Sequence, residues 1–369
     1  MTPRSTAGAA IIAACLLATG CSSDTAEEPA QHIVLNLGGQ VVELDTVDSR
    51  PRTVGTYPKG GEDLDVFTLT TPRQMPSGEV VGIRDGAAVV VSLDAVEKAT
   101  ALGPAVDWFP ATTDGRIWTV TEPEDDTACD REELPESARA RVRIADHDIV
   151  GRPAKRTITL GCGIEPVAET AAGIAAHRIT DDIPSEGNGA SGRTAVVLLG
   201  ERGQPERTVA ESGTIHAAAG HRIIMSVDHC TAEACTSRET ESRNTIYDTE
   251  SKKRQVFPKC DTGEPSGSGA IDSTGRWYAT VTGAERERPT LSVVDLNERT
   301  CRDIGPFPGL AEGSDLPDAL SAVWTGANLV LLDPSSGDVA THHAPSGATA
   351  HRKRSVDVTN GGQVWGALS

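Results

Sequence analysis

From Glu122 to Glu136 the chain carries Glu122, Glu124, Asp125, Asp126, Asp130, Glu132, Glu133 and Glu136 against the single cation Arg131. Carboxylates at that density suit a divalent ion or a basic segment of another protein, or they simply hold a loop in water. Other chemistry is thinly represented. The nine His are dispersed, and the adjacent His342 and His343 would face opposite sides of a strand, which prevents joint ligation and predicts exposure on an outer strand. A hydrolase elbow needs GxSxG at a strand-to-helix turn, and the nearest runs, GSG from Gly267 and GNGASG from Gly187, read as loops. No helical pattern follows a glycine cluster, so a phosphate cradle is not expected. The sequence therefore predicts no catalytic set, no metal ligands and no cofactor, and the acidic residues Glu122, Glu124, Asp125, Asp126, Glu132 and Glu133 are its candidate binding loop.

Cysteine supplies the second chemistry. Arg4, an apolar run from Ala7 to Ala18, and Gly20 before Cys21 resemble a bacterial lipoprotein signal, in which a small residue precedes the cut and the following thiol receives lipid. The run is too short to span a bilayer, which takes about 20 apolar residues. Residues 1–20 are thus expected to be removed and Cys21 acylated, with residues 21–31 as a flexible Ser, Glu and Pro tether. Six cysteines then remain: Cys129, Cys162, Cys230, Cys235, Cys260 and Cys301. None has CxxC spacing, so in an exported chain they read as up to three disulfides, for which six cysteines allow 15 connectivities. Cys129 with Cys162, Cys230 with Cys235 and Cys260 with Cys301 are the expected pairs.

The elements that would position these groups recur along the chain. A strand ends in an acidic turn and is followed by a second strand, as in QVVELDTVDSR from Gln40, AVVVSLD from Ala88 and LSVVDLNERT from Leu291. The turn positions are Asp45, Asp94, Asp146, Gly200, Asp248, Asp295 and Asp333, with successive spacings of 49, 52, 54, 48, 47 and 38 residues. Spacings of roughly 40–50 suit a four-stranded propeller blade. The Asp carboxylate accepts amide hydrogens of the turn it opens, which makes it a turn residue rather than a calcium ligand. A second element, a Gly turn into an inner strand, precedes five of the hairpins: TTDGRIWTV, ETAAGIAAHRI, HAAAGHRIIMSV, IDSTGRWYATV and VWTGANLVLL. Trp118, Trp277 and Trp365 follow such glycines and are expected between blades.

The fold class is therefore all-β: a β-propeller over residues 32–369 with seven four-stranded blades, closed by N- and C-terminal strands. The last copy is out of step, because only seven residues separate Gly326 from Asp333, and six or eight blades are the alternatives. On the units STGRWYATV and LSVVDLNERT, TLGCGIEPVAETAAG and DHCTAEAC, the chain resembles the lipid-anchored or secreted β-propellers of high-GC Gram-positive bacteria, with repeats of the TolB and WD-repeat type. That resemblance implies an extracytoplasmic location and, for many members, no assigned activity.

With 53 acidic and 34 basic residues and a net charge of −19, the chain repels nucleic acid and anionic lipid. The expectation is a monomer on the outer face of the cell membrane that touches it through the lipid alone. Its long loops fall between the second and third strands of their blades, so a binding or scaffolding role through that face is expected, toward a protein or small molecule of cationic character. The alternative is a propeller enzyme of lactonase or lyase type with a metal-dependent site in the central channel.

Overall fold

The computed structural model describes residues 32–45, 51–56, 70–121, 141–183, 191–230 and 240–368, apart from positions 94, 97, 153, 285, 286, 308, 314, 353–355 and 359–361. They form seven antiparallel four-stranded sheets, each wound from an inner strand a outward to d. Blade 1 takes β1 (His32–Leu37), β2 (Gln40–Asp45) and β3 (Pro51–Thr56) from one end of the chain and its inner strand, β28 (Gln363–Leu368), from the other. Blade 2 is β4 (Thr70–Gln74), β5 (Val80–Arg84), β6 (Ala87–Val91) and β7 (Thr100–Pro104). Blade 3 is β8 (Asp107–Pro110), β9 (Arg116–Thr121), β10 (Arg143–Asp148) and β11 (Arg156–Thr159). Blade 4 is β12 (Ile164–Thr170), β13 (Gly173–Ile183), β14 (Ser191–Leu199) and β15 (Pro205–Ala210). Blade 5 is β16 (Gly213–Ala219), β17 (Arg222–Cys230), β18 (Thr240–Asp248) and β19 (Lys253–Val256). Blade 6 is β20 (Pro265–Ile271), β21 (Trp277–Thr282), β22 (Thr290–Asp295) and β23 (Thr300–Gly305). A four-residue helix, α1 (Leu316–Ala319), leads to blade 7, made of β24 (Ser321–Thr325), β25 (Asn328–Leu332), β26 (Val339–His343) and β27 (Ala348–Arg352).

The strands read as unbroken apolar runs because each blade has a neighbour on both faces. In β14, Ala195, Val197 and Leu199 pack toward blade 3 while Val196 and Leu198 pack toward blade 5. Period-2 alternation thus sorts residues between two seams instead of between core and water. The buried apolar residues fall into seven clusters, one for each seam of the ring. Trp118 lies in the seam of blades 3 and 4, Trp277 in that of 6 and 7, and Trp365, fully buried, in that of 1 and 2. At about 25 cal/mol per Å² such aromatics dominate the seams they fill.

Closure rests on one polar residue of blade 2. The Gln74 Oε1 accepts the Ala367 amide at 2.8 Å and the Thr325 hydroxyl at 2.7 Å, and its Nε2 donates to Ala367 O at 2.9 Å. A side chain at Gly366 would collide with Gln74 Oε1, which explains glycine in the middle of β28.

The turn aspartates carry a second role. Asp295 accepts the amides of Asn297 and Glu298 and pairs with Arg276 at 2.9 Å. Arg222 pairs with Asp248 in blade 5, and Arg116 with Asp146 at 2.7 Å in blade 3. An arginine at or just before the start of strand b thus ties to the last turn of strand c. In blade 3 the roles are split, since the turn amide of Val150 goes to Asp148. Gly200 substitutes for Asp because Glu206 packs against its Cα, and the positive φ of that turn is at Gly203.

Two expectations are corrected. Asp333 does not end a third strand: it opens the β25–β26 connection, accepting Ser335 N at 2.8 Å, and residues 344–347 make the β26–β27 turn of a complete blade. The short spacing is a change of turn, so the count is seven and neither six nor eight. His342 and His343 do lie on a strand, but it is β26, flanked on both faces, and they are 1% and 2% exposed rather than solvated.

Candidate functional site

Antiparallel winding sends every b-to-c connection and every blade-to-blade connection to one face of the disc, and the a-to-b and c-to-d turns to the other. On the first face the blades differ. Blades 1 and 2 close b to c with two residues, Gly38–Gly39 and Asp85–Gly86, all at positive φ. Blades 6 and 7 use residues 283–289 and 333–338. In blade 3, β9 and β10 are separated by residues 122–142, and in blades 4 and 5 the hairpins run on past the ring, with Asp182 opposite Gly192 and His229 opposite Glu241. Among the described residues, the hairpins of two consecutive blades, 4 and 5, therefore extend on one side of this face.

The axis of the ring holds a chamber of about 270 Å³, walled by the inner strands of blades 2, 3, 4, 6 and 7. Two charges line it, Arg73 of β4 and Asp107 of β8. Arg73 reaches across the channel and donates from Nη2 to Ile271 O of blade 6 at 2.9 Å. Depth within the ring lowers its guanidinium pKa and the nearby Asp272 carboxylate raises it again; arginine stays cationic under both. Asp272 is not its ion-pair partner, because its oxygens accept the amides of Thr274, Arg276 and Trp277. A second cavity of about 180 Å³ lies beyond Arg73 toward the a-to-b turns and is also lined by Asp114 and Glu169. Its rim is set by Gly220 and Gly275, at φ 53° and 74°, whose turns abut so closely that a Cβ on either would strike the other's backbone. Asp107 opens β8 at the opposite, b-to-c end. Desolvation by the surrounding wall raises its carboxyl pKa, while the Trp108 amide donating at 2.7 Å opposes the shift.

Comparison with known proteins adds the fold alone. No family model matches the chain. No curated protein matches it either. Among solved structures it is similar to an acylaminoacyl peptidase from Pyrococcus horikoshii, at 14% identity and a TM-score of 0.53 over 86% of this chain and 48% of that one. It is also similar to the β-propeller domain of the Trilobed protease from Pyrococcus furiosus, at 11% identity and a TM-score of 0.50 over 87% and 88%. TolB from Acinetobacter baumannii matches at 12% identity and a TM-score of 0.42 over 76% and 64%. The chain thus spans about half the length of the peptidase and under two thirds of TolB. At these identities the likeness is one of fold.

The residues singled out in the sequence distribute unevenly around this frame. Cys21, Cys129, Cys235 and the six acidic residues Glu122, Glu124, Asp125, Asp126, Glu132 and Glu133 lie outside the described residues, as does the Cys230 side chain. Cys260 and Cys301 form a disulfide with Cα atoms 5.1 Å apart. Cys162 is disulfide-bonded as well, to a cysteine outside the described side chains. Asp303 sits beside Cys260 and Cys301, but sulfurs bonded to each other offer no thiolate to a metal.

Arg73, Gln74 and Asp107 are absent from the sequence reading. The Gly78 turn after β4 follows the same Gly rule as the five recognised inner strands and would have placed RQMPSG on the channel. Nothing local places Arg73 against Ile271, which lies 198 residues away.

A seam near the channel holds a further polar group. The His177 Nε2 accepts the Ile215 amide at 2.7 Å, and His216 packs against Gly267 with Asp315 raising its pKa. Burial nevertheless lowers both imidazoles, which stay neutral at pH 7.

Proposed function

We propose that the protein is a surface-tethered binding module, exported, acylated at Cys21, held off the membrane by residues 22–31, and engaging its partner through the b-to-c face. The observation that carries this reading is the asymmetry of that face. The frame is uniform, its a-to-b and c-to-d turns are short, and length varies in the b-to-c connections, which span 21 residues in blade 3 and run on as long hairpins in blades 4 and 5. Variable segments on a rigid scaffold are where binding surfaces are built. The run from Glu122 to Glu136 gives the face a negative field that favours a cationic partner. The alternative, a metal-dependent lactonase or lyase, needs Asp, Glu, Asn or His converging on the channel, and the charges of the described chamber wall are Arg73 and Asp107.

An oligolysine peptide titrated into the intact protein tests the face. Salt-sensitive binding is expected, and its loss when Glu122, Glu124, Asp125, Asp126, Glu132 and Glu133 are replaced by Gln and Asn; binding indifferent to those substitutions would place the contact elsewhere. Cys21→Ala tests the tether, since the variant should appear in the medium, and membrane retention would contradict acylation. Non-reducing peptide mapping tests export: Cys129–Cys162 and Cys230–Cys235 are the expected bridges beside Cys260–Cys301, and six free thiols would oppose it.

A further inference from the structure

The channel chamber carries two opposite charges that do not neutralise each other. Arg73 uses one guanidinium N–H on Ile271 O and makes no ion pair among the described residues, so its remaining donors are open to a ligand. Asp107 makes none either, and takes its one hydrogen bond from its neighbour's amide. The rest of the chamber wall is apolar or aromatic, with Phe109, Val167, Ala270 and Trp324 among its members. The Trp324 indole is committed to Ala270 O at 2.9 Å.

Position along the axis separates the charges. Asp107 is the first residue of β8 and Pro110 the last, about 10 Å of strand apart. The Arg73 guanidinium is held at Ile271, the last residue of β20, which is the same end as Pro110. A cation is thus fixed at the floor and a carboxylate stands near the mouth. Asp114 and Glu169 line the smaller cavity below and would turn back a carboxylate from that side. The overall negative field draws a positive end toward the mouth but gives no help to a simple anion.

The geometry points to a short linear zwitterion as the ligand of this chamber: a peptide of two or three residues with free termini, its carboxylate on Arg73 and its ammonium at Asp107. An extended chain covers about 3.3–3.6 Å per residue, so three residues match the separation and a single α-amino acid falls short. Arg73 binds the carboxylate by charge-assisted, two-pronged hydrogen bonds, the strongest type a side chain offers a carboxylate. Desolvation raises the Asp107 pKa, and an ammonium group placed beside it would favour the carboxylate. This inference goes beyond the loop-face reading, since it uses the channel and not the b-to-c loops.

Calorimetric titration of the intact protein with triglycine, N-acetyltriglycine and triglycinamide tests it. Triglycine should bind saturably at one site, and each cap should weaken binding at least tenfold. Arg73→Gln should remove triglycine binding and Asp107→Asn should weaken it about tenfold, with melting temperatures close to that of the parent. If Arg73→Gln fails to fold, the capped peptides decide the matter on the unaltered protein. Absence of triglycine binding, or equal binding of the capped and free peptides, overturns the assignment. Oligolysine binding on the same sample separates the two ideas: retained oligolysine binding with no triglycine binding removes the chamber ligand alone, and the converse removes the loop face alone.

Discussion

In blade 6 every residue of β21 and β22 is buried, and the interior of the sheet is partly hydroxylic; in blade 4 the matching strands β13 and β14 are mainly apolar within the ring, with His177 accepting the Ile215 amide, and then run on beyond it. The hydroxyls of Tyr278, Thr280, Thr282 and Ser292 are engaged. Thr282 meets Ser292 at 2.7 Å, Ser292 donates to Asp303 at 2.6 Å, and Asp303 also accepts the Thr262 amide at 3.0 Å. Cys260–Cys301 ties this network to the outer strand. Polar groups at such depth are tolerated because each has a partner. Blade 4 needs no such network, since apolar seams on both faces hold it while its b-to-c hairpin changes length freely. One plan therefore serves two ends: in blades 6, 7, 1 and 2 it closes and locks the ring, and in blades 4 and 5 its hairpins run on beyond it.

Breaking the locked side should have the largest effect. Removing residues 355–369 takes away β28, burying Val364, Trp365 and Ala367, and leaves Gln74 without its strand partner. The loss is comparable with the whole stability of a domain, about 5–15 kcal/mol, so the cooperative thermal transition followed by circular dichroism should disappear. An unchanged transition would mean that the ring does not depend on closure. Gln74→Ala, which leaves the Ala367 amide and carbonyl unpaired, should cost about 2–4 kcal/mol in urea unfolding.

The same contrast marks what was legible in the sequence. The blade count was readable because a strand ending in an acidic turn recurs at near-regular spacing, and in blades 5 and 6 one Asp both caps that turn and holds the arginine at the start of strand b. It misled at Asp333 because Asx-turn chemistry is indifferent to which two strands the turn joins, and DPSSGD serves b to c as well as it would c to d. The exposure expected of His342 and His343 failed for a related reason, since alternation implies a wet face only when one face of the sheet is free. Arg73 and Asp107 were not legible at all, because the channel exists only once inner strands from distant parts of the chain converge.

Histidine titration separates the two sides at intermediate effect. Burial, then Arg302 and His343, lower the His342 pKa from 6.5 to about 4. The unfolded chain therefore takes up a proton below pH 6.5 that the folded chain refuses until about pH 4. Its contribution is complete above 6.5, is lost as pH falls toward 4, and is level below, on the order of 3 kcal/mol in all. Urea midpoints between pH 4 and 7 should show this slope, reduced by one proton in His342→Gln, with His147, His177 and His216, whose pKa values burial also lowers, contributing in the same direction. An unaltered slope would mean that His342 is not buried neutral. The disulfide should count for a similar or smaller amount: Cys260 and Cys301 are 41 residues apart, and replacing both by Ser should cost about 2–4 kcal/mol.

The smallest stability effect should come from the projecting side, where it discriminates most. Replacing Glu122, Glu124, Asp125, Asp126, Glu132 and Glu133 by Gln and Asn alters charge without altering the anchors of the segment. Those anchors belong to the frame: Thr121 pairs with Arg143, its hydroxyl donates to Arg143 O at 3.2 Å, and the seam behind holds Val120 and Ile144. Neutralisation is a cleaner probe than deletion, because deletion would also remove Cys129 while Cys162 is disulfide-bonded. Stability should move by no more than about 0.5 kcal/mol, as for substitutions away from caps, cores and ion-pair networks. Oligolysine affinity should fall, and the salt dependence of binding should flatten with it, since six negative charges leave the face. A loss of several kcal/mol in the urea midpoint would show instead that the acidic segment is part of the locked frame, and the division between the two sides of the ring would then have to be drawn through blade 3.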